Sequence, residues 1–138
     1  MERRNFIRSM AVVGVAGATL TACASPEDDG KEDLKSGVIL HSVYFWLKTD
    51  LTEDERADFL NFFKALNSIP NVRFLTYGAP APTNPRPVVE NSFDYNLIVT
   101  FDKMENLNVY ETHPTHLKAI EDYSKYWTKV MVHDTLIA

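Results

Sequence analysis

"VILHSVYFWLK", Val38 to Lys48, sets apolar side chains on both faces of a single strand. Its β-branched and aromatic residues mark extended backbone. Successive side chains of a strand point to opposite sides. Ile39, His41, Val43 and Phe45 therefore share one face, and Leu40, Ser42, Tyr44 and Trp46 share the other. An antiparallel sheet with one wet face alternates apolar with polar residues. This strand does not, so both of its faces need a cover.

The elements that follow supply one cover. "LTEDERADFLNFFKALNSI" opens with Thr52 and has Glu55 three places on, the pattern of a capping box. Phe59, Leu60, Phe63 and Leu66 then recur at helical spacing, and Pro70 ends the run. "NVRFLTYGA" reads as a second strand, and "PAPTNPRPVVEN", with four prolines, as a loop. "SFDYNLIVTF" is the third strand, with Tyr95, Leu97, Val99 and Phe101 on one face. A short helical piece, "KMENLNVYET", precedes the second main helix, "HPTHLKAIEDYSKYW", which turns Leu117, Ile120, Tyr123 and Tyr126 toward the core. "TKVMVHDTLI" closes the chain as a strand, with Val130 and Val132 on one side and Met131 on the other.

The order β-α-β-β-α-β predicts an α+β, ferredoxin-like antiparallel sheet with its helices on one face. The helices cover the face of Ile39 and His41. The other face, with Leu40, Tyr44 and Trp46, is expected to meet a second copy, giving a homodimer. This single domain runs over residues 38–138.

Two shorter segments precede it. Residues 1–22 read as an export signal: a charged start with Arg3 and Arg4, then "MAVVGVAGATLTA", too short and small for a spanning helix. "RRNFIR" resembles the twin-arginine pattern. Glu2 stands where Ser or Thr is usual, which keeps the general secretory route open. "LTAC" resembles a lipobox with Cys23 as the acylated residue. Cys23 is the single cysteine of the chain, so no internal disulfide can form. Residues 23–37 are polar and acidic and read as a tether. Of 14 basic and 19 acidic residues, loss of Arg3, Arg4, Arg8 and Glu2 leaves 11 and 18, a net charge of about −7. Such a surface argues against nucleic acid and against electrostatic binding to anionic lipid. The expected location is the cell envelope, with the lipid anchor as the membrane contact. Ala24 at the place after the cysteine points to the outer membrane in a double-membraned bacterium.

The chemistry-bearing residues gather in "YETHPTHLKAIEDY", Tyr110 to Tyr123. Pro114 suits a helix's first turn, where its missing N–H is no loss. Thr112 is then the expected cap and His113 an exposed neighbour. His116 lies on the stripe of Ile120 and Tyr123 and faces inward. The positive end of the helix disfavours its imidazolium form. His41 is on the helix-facing side of its strand, so it and His116 are placed to meet across the core, with Tyr110 nearby. Such a pair can be a satisfied core pair, since buried polar groups usually bond to one another. It can also move protons. Zinc is the rival use of histidines, but no carboxylate is evident beside His113 and His116. His133, next to Asp134, reads as a strand-end surface residue. There is no Ser-His-Asp order, Gly-rich phosphate loop or cofactor fingerprint, and no cofactor is expected.

"LHSVYFWLK", "Y…HPTH" and the β-branched closing strand together resemble the stress-responsive A/B barrel (Dabb) family, over Val38 to Ile137. That resemblance implies a dimeric α+β barrel. Its enzymatic members include a plant polyketide cyclase. By the resemblance His41 and His116 match the histidine pair and Tyr110 the pocket tyrosine. One histidine would then take a proton beside a carbonyl, with Tyr110 or the other histidine supporting the oxyanion. The expectation is an exported, lipid-anchored protein that binds or transforms a small apolar or carbonyl-containing molecule. The alternative is a non-catalytic dimeric binding or structural module of the envelope. Fold alone does not choose between them.

Overall fold

The computed structural model describes residues 34–138. The export and lipidation readings on Arg3, Arg4 and Cys23 lie outside the described residues.

The elements run β1 (Ile39–Leu47), α1 (Glu53–Asn67), β2 (Phe74–Gly78), β3 (Tyr95–Phe101), α2 (Met104–Thr112), α3 (Pro114–Tyr123), a 3₁₀ turn (Ser124–Tyr126) and β4 (Trp127–Leu136). The four strands lie in the order β2-β3-β1-β4, every neighbouring pair antiparallel. This is the expected ferredoxin-like α+β arrangement. β1 is central, and its residues alternate between deeply and partly buried.

Helix α1 starts where Thr52 and Glu55 exchange bonds. The Thr52 hydroxyl accepts the Glu55 N–H at 3.2 Å, and the Glu55 carboxylate accepts the Thr52 N–H at 2.8 Å. The helix buries Phe59, Phe62, Phe63 and Leu66. Phe45 of β1 meets Phe59, Phe62, Phe63 and Trp127 with ring centroids 5.4–5.8 Å apart. Each such buried side chain contributes about 1.5–3 kcal/mol relative to exposure. Tyr126 pins the 3₁₀ turn to α1, its hydroxyl donating to Asp58 at 2.7 Å. That bond pushes the phenol up to about 12.

Three details differ from the expectation. Leu117 is 56 % exposed, and Ala119 is the fully buried residue of α3. Tyr126 reaches the core from the 3₁₀ turn rather than from the helix, which ends at the Ser124 cap. β3 begins at Tyr95, not Ser92. Ser92 and Phe93 belong instead to the loop and lie over the outer face of the sheet. The Trp46 indole N–H donates to the Ser92 hydroxyl at 2.9 Å, and Phe93 meets the Tyr44 ring edge-on at 5.0 Å. The loop is fixed at its end by Asp94, which accepts the Leu47 N–H at 2.7 Å. The chain thus covers part of its own outer face.

Candidate functional site

Between the sheet and the helices lies a cavity of about 230 Å³. Its walls are apolar: Val43, Phe45, Phe62, Leu66, Leu97 and Trp127. Polar side chains converge at one end, where His41, Tyr110 and His116 all line the space. Strand β1 brings His41, because its phase matches that of Ile39 and Val43. Helix α2 brings Tyr110 on its buried side, and the first turn of α3 brings His116.

Tyr110 stands between the two histidines. Its ring centroid is 5.9 Å from that of His41 and 4.8 Å from that of His116, each contact edge-to-face. It is 0 % exposed. Burial raises its pKa well above the ordinary tyrosine value, so the phenol keeps its proton. Its hydroxyl has no hydrogen-bond partner among the described residues, and neither does Nδ1 of His116. Burial, with the nearby His41 and His113, holds the His116 pKa below the ordinary histidine value. The imidazole is therefore neutral at pH 7. The main cause is desolvation, where the sequence pointed to the helix end.

His41 is not orphaned. Asp134 lies opposite it in the β1–β4 register, on the same face of the sheet. The Nδ1–H of His41 donates to the Asp134 carboxylate at 2.5 Å. A carboxylate accepts only, so the His41 proton at this contact sits on Nδ1, and Nε2 is left toward the cavity. Asp134 was not singled out from the sequence. The signal was available in the register: counting β4 back against β1 sets residue 134 beside residue 41.

His113 is not a neighbour of the cap but the cap itself. Its Nδ1 accepts the Thr115 N–H at 3.1 Å, and Pro114 fills the first helical position. The expected cap, Thr112, ends α2 and turns its hydroxyl back to the Asn108 carbonyl at 2.8 Å. His133 lies on the outer face against Tyr44. Among the described residues no three His, Cys, Asp or Glu side chains are grouped to hold a metal ion.

A second recess, about 390 Å³, opens on the outer face beside Tyr44, Trp46, Phe93 and Lys129. It is larger, but it lies on the outer face of the sheet, and the Trp46 N–H there is already satisfied. The unpartnered polar atoms belong instead to Tyr110 and His116, two residues that line the inner cavity.

The domain is thus a ferredoxin-like α+β fold with an apolar cavity ended by two histidines and a tyrosine. Within it, residues 39–137 match the Stress responsive A/B Barrel Domain, and the chain belongs to that family. It is 23 % identical over 97 residues to olivetolic acid cyclase of Cannabis sativa, across 70 % of this chain and 93 % of that one. Among solved structures, a dimeric ferredoxin-like protein of unknown function from Bacteroides fragilis is 24 % identical with a TM-score of 0.58, covering 73 % of this chain and 97 % of that one. A hydroxynitrile lyase from Passiflora edulis is 18 % identical with a TM-score of 0.61, covering 75 % and 96 %. These structural likenesses carry the fold.

Proposed function

We propose that this chain binds a small, largely apolar molecule bearing a carbonyl oxygen in the His41–Tyr110–His116 cavity and acts on it by proton transfer. The observation that carries the reading is the pair of orphaned buried atoms, the Tyr110 hydroxyl and His116 Nδ1. A buried polar group without a partner costs about 1–3 kcal/mol. Two of them at one end of an apolar cavity match a ligand that brings one acceptor and one acidic hydrogen. The Tyr110 hydroxyl donates to the carbonyl oxygen. His116, with its proton on Nε2, takes a proton from the carbon beside the carbonyl at Nδ1. The C–H electrons move to the oxygen, and the enolate is held by the Tyr110 hydrogen bond. His41, oriented by Asp134, presents its Nε2 lone pair to the same end. The cyclase and lyase names of the relatives support small-molecule chemistry of this kind.

The active form in this reading is a homodimer joined through the outer sheet face at Leu40, Tyr44 and Trp46. The two-sided apolar strand supports it, as does the dimeric Bacteroides protein. The chain is exported and held to the envelope membrane by acylation of Cys23, as the order of signal and "LTAC" suggests. Mass spectrometry of detergent-extracted protein should then find acylated Cys23 at the mature N-terminus, and Cys23→Ala should leave the membrane fraction.

The test of the chemistry is turnover of a β-polyketone by the full chain. His41→Ala and His116→Ala should abolish turnover while native mass spectrometry still shows the dimer. Turnover unchanged in both variants would end the catalytic reading. Ligand retained without turnover in the wild type would leave a binding module.

A further inference from the structure

The ionisable groups around the inner cavity are unevenly signed. Among the described residues its lining includes two acids, Asp134 and Glu111, and no lysine or arginine. Asp134 is engaged by His41. Glu111 follows Tyr110 in α2 and is exposed, so it stands at the rim with its charge facing arriving ligands. Deeper in, the neutral Tyr110 hydroxyl and His116 offer hydrogen bonds but no positive charge.

A carboxylate or phosphate entering this space would lose its water and gain no counter-ion. Burying an unpaired charge is far more costly than burying a neutral polar group that finds a hydrogen bond. A neutral ketone or aldehyde has one acceptor for the Tyr110 hydroxyl and nothing to repel Glu111. We propose that the cavity selects uncharged carbonyl compounds over anions of the same length and shape, and that Glu111 is the specificity-determining residue at its mouth. This rests on the small-ligand reading above and adds to it a rule for which ligands are refused. Glu111 has no role in proton transfer here. It acts on the ligand's charge, not on the reacting atoms.

The experiment compares heptan-2-one with heptanoate by isothermal titration calorimetry on the full chain at pH 7.5. The ketone is expected to bind saturably and the carboxylate at least about tenfold more weakly. That is the scale of one like charge roughly 10 Å away at an effective dielectric near 20. Glu111→Gln should narrow the gap, and Glu111→Lys should close or invert it, while ketone affinity changes little. Raising the salt concentration should also narrow the wild-type gap. Equal binding of both probes by the wild type would overturn the selectivity and leave the small-ligand reading standing. A gap that survives Glu111→Lys unchanged would remove Glu111 from the role. Failure of both probes to bind would overturn the small-ligand reading and this inference with it.

Discussion

Replacing Tyr110 by Phe deletes one oxygen atom and leaves the ring, its burial and its edge contacts with His41 and His116 in place. The deleted hydroxyl is fully buried and has no partner in the described protein. Most buried hydroxyls are bonded, and losing one usually costs stability. Here the sign should reverse. The folded protein carries a desolvation penalty of about 1–3 kcal/mol for this group. Tyr110→Phe should therefore leave stability unchanged or raise it by roughly 1 kcal/mol. For a domain of this size that is an increase in Tm of about 4–8 °C. The ligand should respond in the opposite direction, since the hydroxyl is its hydrogen-bond donor. Binding or turnover of the carbonyl probe should fall by about tenfold or more, the equivalent of roughly 1.4 kcal/mol. Urea denaturation at fixed m-value gives the first quantity, and titration with heptan-2-one gives the second. A variant destabilised by more than about 1 kcal/mol, with ligand affinity intact, would refute the reasoning. It would mean that the hydroxyl serves the fold.

His113→Ala removes the side-chain cap of α3 and should cost about 1 kcal/mol in chemical denaturation, with His113→Asn restoring most of it. The His116 pKa is lower in the folded state than in the unfolded chain, so the unfolded state takes up the proton first. Its contribution to stability is full above about pH 6.5, the unfolded value, and is lost as pH falls toward the folded pKa. His116→Gln should flatten that part of a stability–pH curve. If the chain dimerises through its outer sheet face as proposed, Trp46→Glu should convert the dimer to monomer or aggregate in light scattering, because an unpaired charge would be buried at that join.

Much of the fold was legible because strands and helices are periodic. The alternation of Val38–Lys48 located the sheet's two faces, and the stripe of Phe59, Phe63 and Leu66 located α1. What escaped was aperiodic. Ser92 and Phe93 look like strand residues by composition, yet they fold over Trp46 and Tyr44, which no spacing rule encodes. Leu117 looked like core because leucine usually is. The residue of α3 that is buried is Ala119, and which side of a helix is covered is a property of the neighbours it meets, not of its own sequence.

The site divides the same way. His41 and His116 could be assigned to the inner cavity from the phase of a strand and of a helix. Asp134 needed the pairing of β4 with β1, and the cap needed backbone geometry. That geometry gives the first residue of "HPTH" two bonds, one to each helix. The His113 N–H donates to the Tyr110 carbonyl at 3.2 Å, ending α2, while its ring accepts the Thr115 N–H and starts α3. One residue thus fixes the angle between the helix that carries Tyr110 and the helix that carries His116. Those two rings are 4.8 Å apart across this junction. In the proton-transfer reading proposed above, a cap that slackens would move them apart, and a misplacement of about 1 Å can cost two orders of magnitude in rate. Capping is therefore the means by which His113, itself outside the cavity, sets the geometry within it.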